Sequence, residues 1–89
     1  MASLDEFGPW ATSIDACERR ARCRTFRAIA RMIAGPRTTA LCDALACSEN
    51  DPAHLERALV AFEGLASLDK RRILGSFHPV MMAPTPCAA

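Results

Sequence analysis

The chain has 89 residues, 51% hydrophobic and 24% charged, with a formal net charge of +1; that length holds one domain and excludes two, and the composition is too apolar for a disordered chain. Seventeen alanines, one tryptophan and no tyrosine favour closely packed helices over a sheet, because alanine is the best helix former while strands are enriched in aromatic and β-branched residues. Every apolar run is interrupted by charges or prolines before the roughly 18 residues that a membrane span needs.

In chain order, residues 1–11 are expected to form an irregular arm. Thr12 or Ser13 can cap a first helix that carries Asp15 in its first turn, where the helix dipole favours an acid. The run SIDACERRARCRTFRAIARMIA has no glycine or proline, and Gly35-Pro36 ends it. At about 100° per residue, Ile14, Cys17, Ala21, Ala28 and Met32 share one face with Phe26, Ile29 and Ile33 on its shoulder, and this face is expected to pack inward. A shorter second helix follows over Thr39 to Cys47, with Leu41, Ala44 and Leu45 at helical spacing. Asp51 then caps a third helix with Pro52 at its first position. Its apolar stripe is Leu55, Ala58, Leu59 and Phe62, and Gly64 is its stop.

The stretch LASLDKRRILGSF admits two readings. Ser67 can cap a fourth helix that turns Leu68, Ile73 and Leu74 inward and Lys70, Arg71 and Arg72 outward; the alternative is a hairpin turning at Asp69-Lys70. Helix formers dominate and β-branched residues are scarce, so helix is favoured. Residues 78–89, with Pro79, Pro84 and Pro86, are expected to be an irregular tail. The expectation is a single all-α domain: a small bundle of three to four helices with a long first helix, or, in the alternative, a winged helix with residues 65–77 as a β-hairpin.

The near-zero net charge hides a strong asymmetry. Residues 13–37 carry seven arginines against Asp15 and Glu18, whereas residues 38–69 carry six acids against Arg57. On the first helix Arg20, Arg24, Arg27 and Arg31 fall at i, i+4, i+7 and i+11, a stripe spanning about 60° and roughly 16 Å of helix, prolonged by Arg37. Arginine presents a fixed fork of donors that matches phosphate and never loses its charge, so the stripe suits a nucleic-acid backbone. Aromatics that could stack on bases are nearly absent from this face, which favours double-stranded RNA or DNA over single strands. The competing reading is charge neutralisation, with Glu49, Asp51, Glu56 or Glu63 pairing with the stripe within the chain or across a homodimer.

The run RTFRAIARMIAGPRTTALCDALACSENDPAHLERALVAFEGLASLDKRRIL resembles, by pattern rather than by a specific motif, the trihelical core of helix-turn-helix and winged-helix domains. That resemblance implies a DNA-reading third helix and a wing bearing Lys70, Arg71 and Arg72 near phosphates. The third helix, however, exposes His54, Glu56, Arg57 and Glu63, and its two acids oppose entry into a groove. The same core also serves as a dimerisation or protein-docking unit.

Five cysteines (Cys17, Cys23, Cys42, Cys47, Cys87) and two histidines (His54, His78) show no CxxC or HxxxH spacing, so neither a zinc site nor any other cofactor is expected. Their odd number and loose spacing fit reduced thiols in a cytosol. Asp5 and Glu6 stand where a secretory signal needs positive charge, and two residues follow Cys87 where a prenylation signal needs three, so neither export nor lipid anchoring is expected. With no phosphate loop, nucleophile elbow or paired apolar carboxylates, the reading is a non-enzymatic, cytoplasmic regulator. It would bind duplex nucleic acid through Arg20, Arg24, Arg27, Arg31 and Arg37, with Lys70, Arg71 and Arg72 in support. The alternative is an adaptor or inhibitor that docks on a protein and self-associates through its first helix.

Overall fold

The computed structural model describes residues 8–11 and 14–82. Four α-helices, α1 (Ala16–Ala34), α2 (Thr39–Ser48), α3 (Leu55–Glu63) and α4 (Ser67–Met82), are joined by 3-10 turns at Gly35–Thr38 and Pro52–His54, and no strand occurs among the described residues. The small all-α bundle expected from the sequence is the fold. In place of the alternative hairpin over residues 65–77 stands α4, whose propensities outweigh its turn-like Asp69-Lys70 step.

Local chemistry sets the helix ends. Asp15, in extended backbone, accepts the Glu18 N–H at 2.8 Å and starts α1. The expected caps Thr12 and Ser13 lie outside the described residues. At the other end Gly35 takes φ +57°, a conformation that L side chains rarely adopt, and its N–H bonds to the Arg31 carbonyl. Pro36 opens the 3-10 turn into α2, and the Thr38 hydroxyl donates to the Gly35 carbonyl at 2.7 Å. Asp51 caps the next turn by accepting the Ala53 N–H at 2.9 Å, with Pro52 at its first position.

Three expectations need correction, two of them in the course of the helices and one in the seating of Leu68. Residues 78–82, expected to be irregular, continue α4 to Met82 with Pro79 inside the helix. Proline lacks the N–H that would reach back to the Gly75 carbonyl, but Gly75 is exposed, so water can satisfy that carbonyl. Residues 83–89 lie outside the described residues. The inward face of α1 is also rotated from the expected one: Cys23, Phe26, Ile29, Ala30 and Ala34 are buried, whereas Cys17 and Ala28 are exposed and Met32 is 75% exposed.

The core explains that rotation. Phe26 meets Trp10, Phe62 and Phe77 at centroid distances of 5.2, 5.4 and 4.9 Å, all edge-to-face, and large aromatic area outweighs a row of alanines in choosing which face turns in. Ile73 and Phe77 carry α4 onto this cluster, Ala58 and Phe62 carry α3, and Leu41, Ala44 and Leu45 carry α2. Leu68, expected inward, is 52% exposed. Trp10 belongs to the core as well, and its indole N–H donates to the Leu55 carbonyl at 2.7 Å. α2 packs against both α1 and α3, and α4 packs against α1.

Candidate nucleic-acid interface

Because Phe26 and its neighbours hold one side of α1 in the core, the arginine stripe is turned outward. Arg20, Arg24 and Arg31 are exposed and Arg27 is half-buried. At the helical pitch Arg27 lies nearest the buried edge of α1 and Arg24 farthest from it. The four therefore share a face, but they do not share an environment.

The middle of the stripe is occupied from within the chain. Glu49 forms the C-cap of α2, its carboxylate lying 2.8 Å from Arg24 Nε and 3.2 Å from Arg27 Nη2. The Glu49 side chain is 11% exposed while that of Arg24 is 66% exposed, so the acid is tucked under the arginines rather than spread over them. Arg19 Nε adds a bond to the Ser48 carbonyl at 3.3 Å, placing a cation at the negative end of α2. Of the four acids that could have neutralised the stripe, only Glu49 does so. Asp51 caps its own turn, and Glu56 and Glu63 are exposed with no ion pair among the described residues. Glu49 thus engages two of the four guanidinium groups, and Arg20 and Arg31 have no ion-pair partner among the described residues.

The remaining sequence candidates diverge from this surface. Arg37 turns to α4 and grips Asp69 with two parallel bonds, Nε to Oδ2 at 3.0 Å and Nη2 to Oδ1 at 3.2 Å. Asp69 is buried in the first turn of α4, where the helix dipole also favours its charge. Lys70 donates to the Glu63 carbonyl at 3.3 Å. Arg71 and Arg72 are exposed on α4 with no ion pair among the described residues, and no contact there ties them to the stripe. Arg37 and Lys70 therefore act first as braces between elements. Sequence spacing could not reveal this, since their partners lie on other elements.

Two further features adjoin the stripe. Cys17, Ala28 and Met32 form an exposed apolar strip beside it, and Arg31 overhangs a cleft of about 460 Å³ lined by Gly35, Pro36, Thr38, Thr39, Cys42 and Asp43. Beneath the stripe the Cys23 thiol is fully buried; burial, with the nearby Glu49 charge adding to it, pushes its pKa up to about 11. Cys17 and Cys47 are exposed, and among the described residues no group of three or more His, Cys, Asp or Glu side chains is placed to hold a metal ion. No helix among the described residues is long and apolar enough to cross a membrane. No family model matches the chain, and no significant match to it was found among curated proteins or solved structures.

Proposed function

We propose that this chain is a non-enzymatic binding module that docks on the backbone of double-stranded nucleic acid through the outer face of α1. The observation that carries this reading is the charge imbalance of that face: among the described residues Arg20, Arg24, Arg27 and Arg31 are opposed by Glu49 alone. A surface left with excess guanidinium charge draws a polyanion by releasing its counterions. A duplex is supported over a single strand because no stacking platform is exposed among the described residues, where Trp10, Phe26, Phe62 and Phe77 are all buried.

Arg20 and Arg31 are the positions on which to test it, since neither holds the fold together through an ion pair among the described residues. Changing both to alanine is expected to weaken binding to a fluorescein-labelled duplex about tenfold or more at low salt, and to flatten the plot of log affinity against log salt by about 1.8, or roughly 0.9 per lost contact. Undetectable wild-type binding at low salt, or unchanged affinity in the double variant, would overturn the reading.

One observation favours a second reading. The apolar strip of Cys17, Ala28 and Met32 beside the arginines gives α1 the amphipathic outer face of a protein-docking helix. Absence of duplex binding, together with concentration-dependent self-association in the ultracentrifuge, would favour that reading and the homodimer it implies.

A further inference from the structure

The Glu49 carboxylate lies where a bound phosphate would have to lie in order to engage Arg24 and Arg27 together. It presents two oxygens to two guanidinium groups on adjacent turns of α1, at 2.8 and 3.2 Å, which is the charge and the donor geometry of a phosphate contact. Its backbone is fixed by the C-cap of α2, where its N–H bonds to the carbonyls of Ala46 and Cys47. Arg19 holds the same end of α2 through the Ser48 carbonyl. Rotation of the Glu49 side chain away from α1 would give up both of its ion pairs. Arg24 nonetheless remains largely open to solvent, so its charge is masked rather than its side chain hidden.

We propose that Glu49 is the affinity-limiting residue of the α1 surface, an internal counter-ion that withholds Arg24 and Arg27 from the phosphate backbone and leaves Arg20 and Arg31 as a two-point grip. This rests on the duplex-binding reading above. The two free arginines stand eleven residues apart, so the grip points are separated by roughly 16 Å along the helix. A duplex is then held at two separated places instead of along a continuous track, which keeps affinity modest and leaves Glu49 as the residue that limits it.

The test is a salt titration of the full chain with the labelled duplex, comparing wild type with Glu49→Gln and Glu49→Asp. Glutamine keeps the shape and a hydrogen-bonding oxygen but removes the charge, while aspartate keeps the charge. Glu49→Gln is expected to tighten low-salt binding about tenfold and to steepen the log–log salt slope by about 1.8 as two further phosphate contacts become available. Glu49→Asp is expected to stay close to wild type. If Glu49→Gln binds no more tightly than wild type, the counter-ion role is wrong even though duplex binding stands. If neither protein binds duplex at low salt, the functional reading itself falls and takes this inference with it. If wild type is silent and Glu49→Gln binds, the duplex-binding reading of the wild-type chain falls, and with it the two-point grip of Arg20 and Arg31.

Should Glu49→Gln fail to fold by circular dichroism, the arginines decide the matter. In the wild-type background Arg24→Gln, which leaves the Arg27–Glu49 pair in place, is expected to leave the salt slope unchanged, while Arg20→Gln lowers it by about 0.9. An equal drop for both would show that Arg24 reaches phosphate despite Glu49 and would refute the proposal.

Discussion

Cys17 and Cys23 lie on the same helix and meet opposite surroundings, one exposed and one fully buried. A thiol whose pKa is raised from 9.0 to about 11 in the fold gives up its proton more readily in the unfolded chain. Its stabilising contribution is therefore complete below pH 9 and is lost as the pH rises through about 11. Urea unfolding should show stability declining across that window, with a smaller decline in Cys23→Ala. At neutral pH iodoacetamide should modify Cys17 and Cys47 and spare Cys23 until the chain unfolds. The sequence pointed Cys17 inward because five apolar residues share its face, but four of the five are small or flexible side chains. Burial follows area, and Phe26 and Ile29 outweigh them. The arginine stripe was legible because it depends only on helical spacing. The identity of its internal partner was not, because Glu49 reaches Arg24 from 25 residues away and nothing local separates it from Glu56 or Glu63.

Element boundaries were the most legible level wherever they depend on adjacent residues. Gly35-Pro36 acts through backbone geometry and Asp51-Pro52 through a local side-chain cap and the fixed proline ring, and both fall where the sequence places them. Gly35→Ala should cost about 1 kcal/mol in urea unfolding purely through the unfavourable backbone, since a Cβ there would meet nothing within 4 Å. An unchanged midpoint would mean that the chain can end α1 in some other way. The course of α4 was less legible. Its helical character follows from propensity, but its continuation through Pro79 runs against the rule that a proline ends a helix. Its start is likewise fixed from outside, by the Arg37 fork on Asp69.

At the scale of the whole molecule, four described aromatics from four separate stretches of chain meet around Phe26. Phe26→Ala should destabilise the fold by about 3–5 kcal/mol. Because Trp10 is the only tryptophan and touches both Phe26 and Phe62, its emission in that variant should shift red together with the loss of helical circular dichroism. A tryptophan transition that precedes the loss of helix would show that the arm opens separately from the bundle. That all-α packing follows from alanine-rich composition was readable at the outset, whereas the recruitment of Trp10 was not, because its seat is built by α1 and α3 together and its hydrogen-bond acceptor is Leu55.

That seat bears on how the protein is made. Trp10 leaves the ribosome ahead of every helix described here, yet its bond to Leu55 closes a loop of 45 residues, and the aromatic cluster is complete only when Phe77 has emerged. Until then Trp10, Phe26 and Phe62 lack part of their apolar cover, and closing the long loop carries an entropic cost that only the finished cluster offsets. The first described residue of the aromatic cluster to be synthesised is thus among the last to be seated, and translation must run nearly to the end of α4 before that cluster can close.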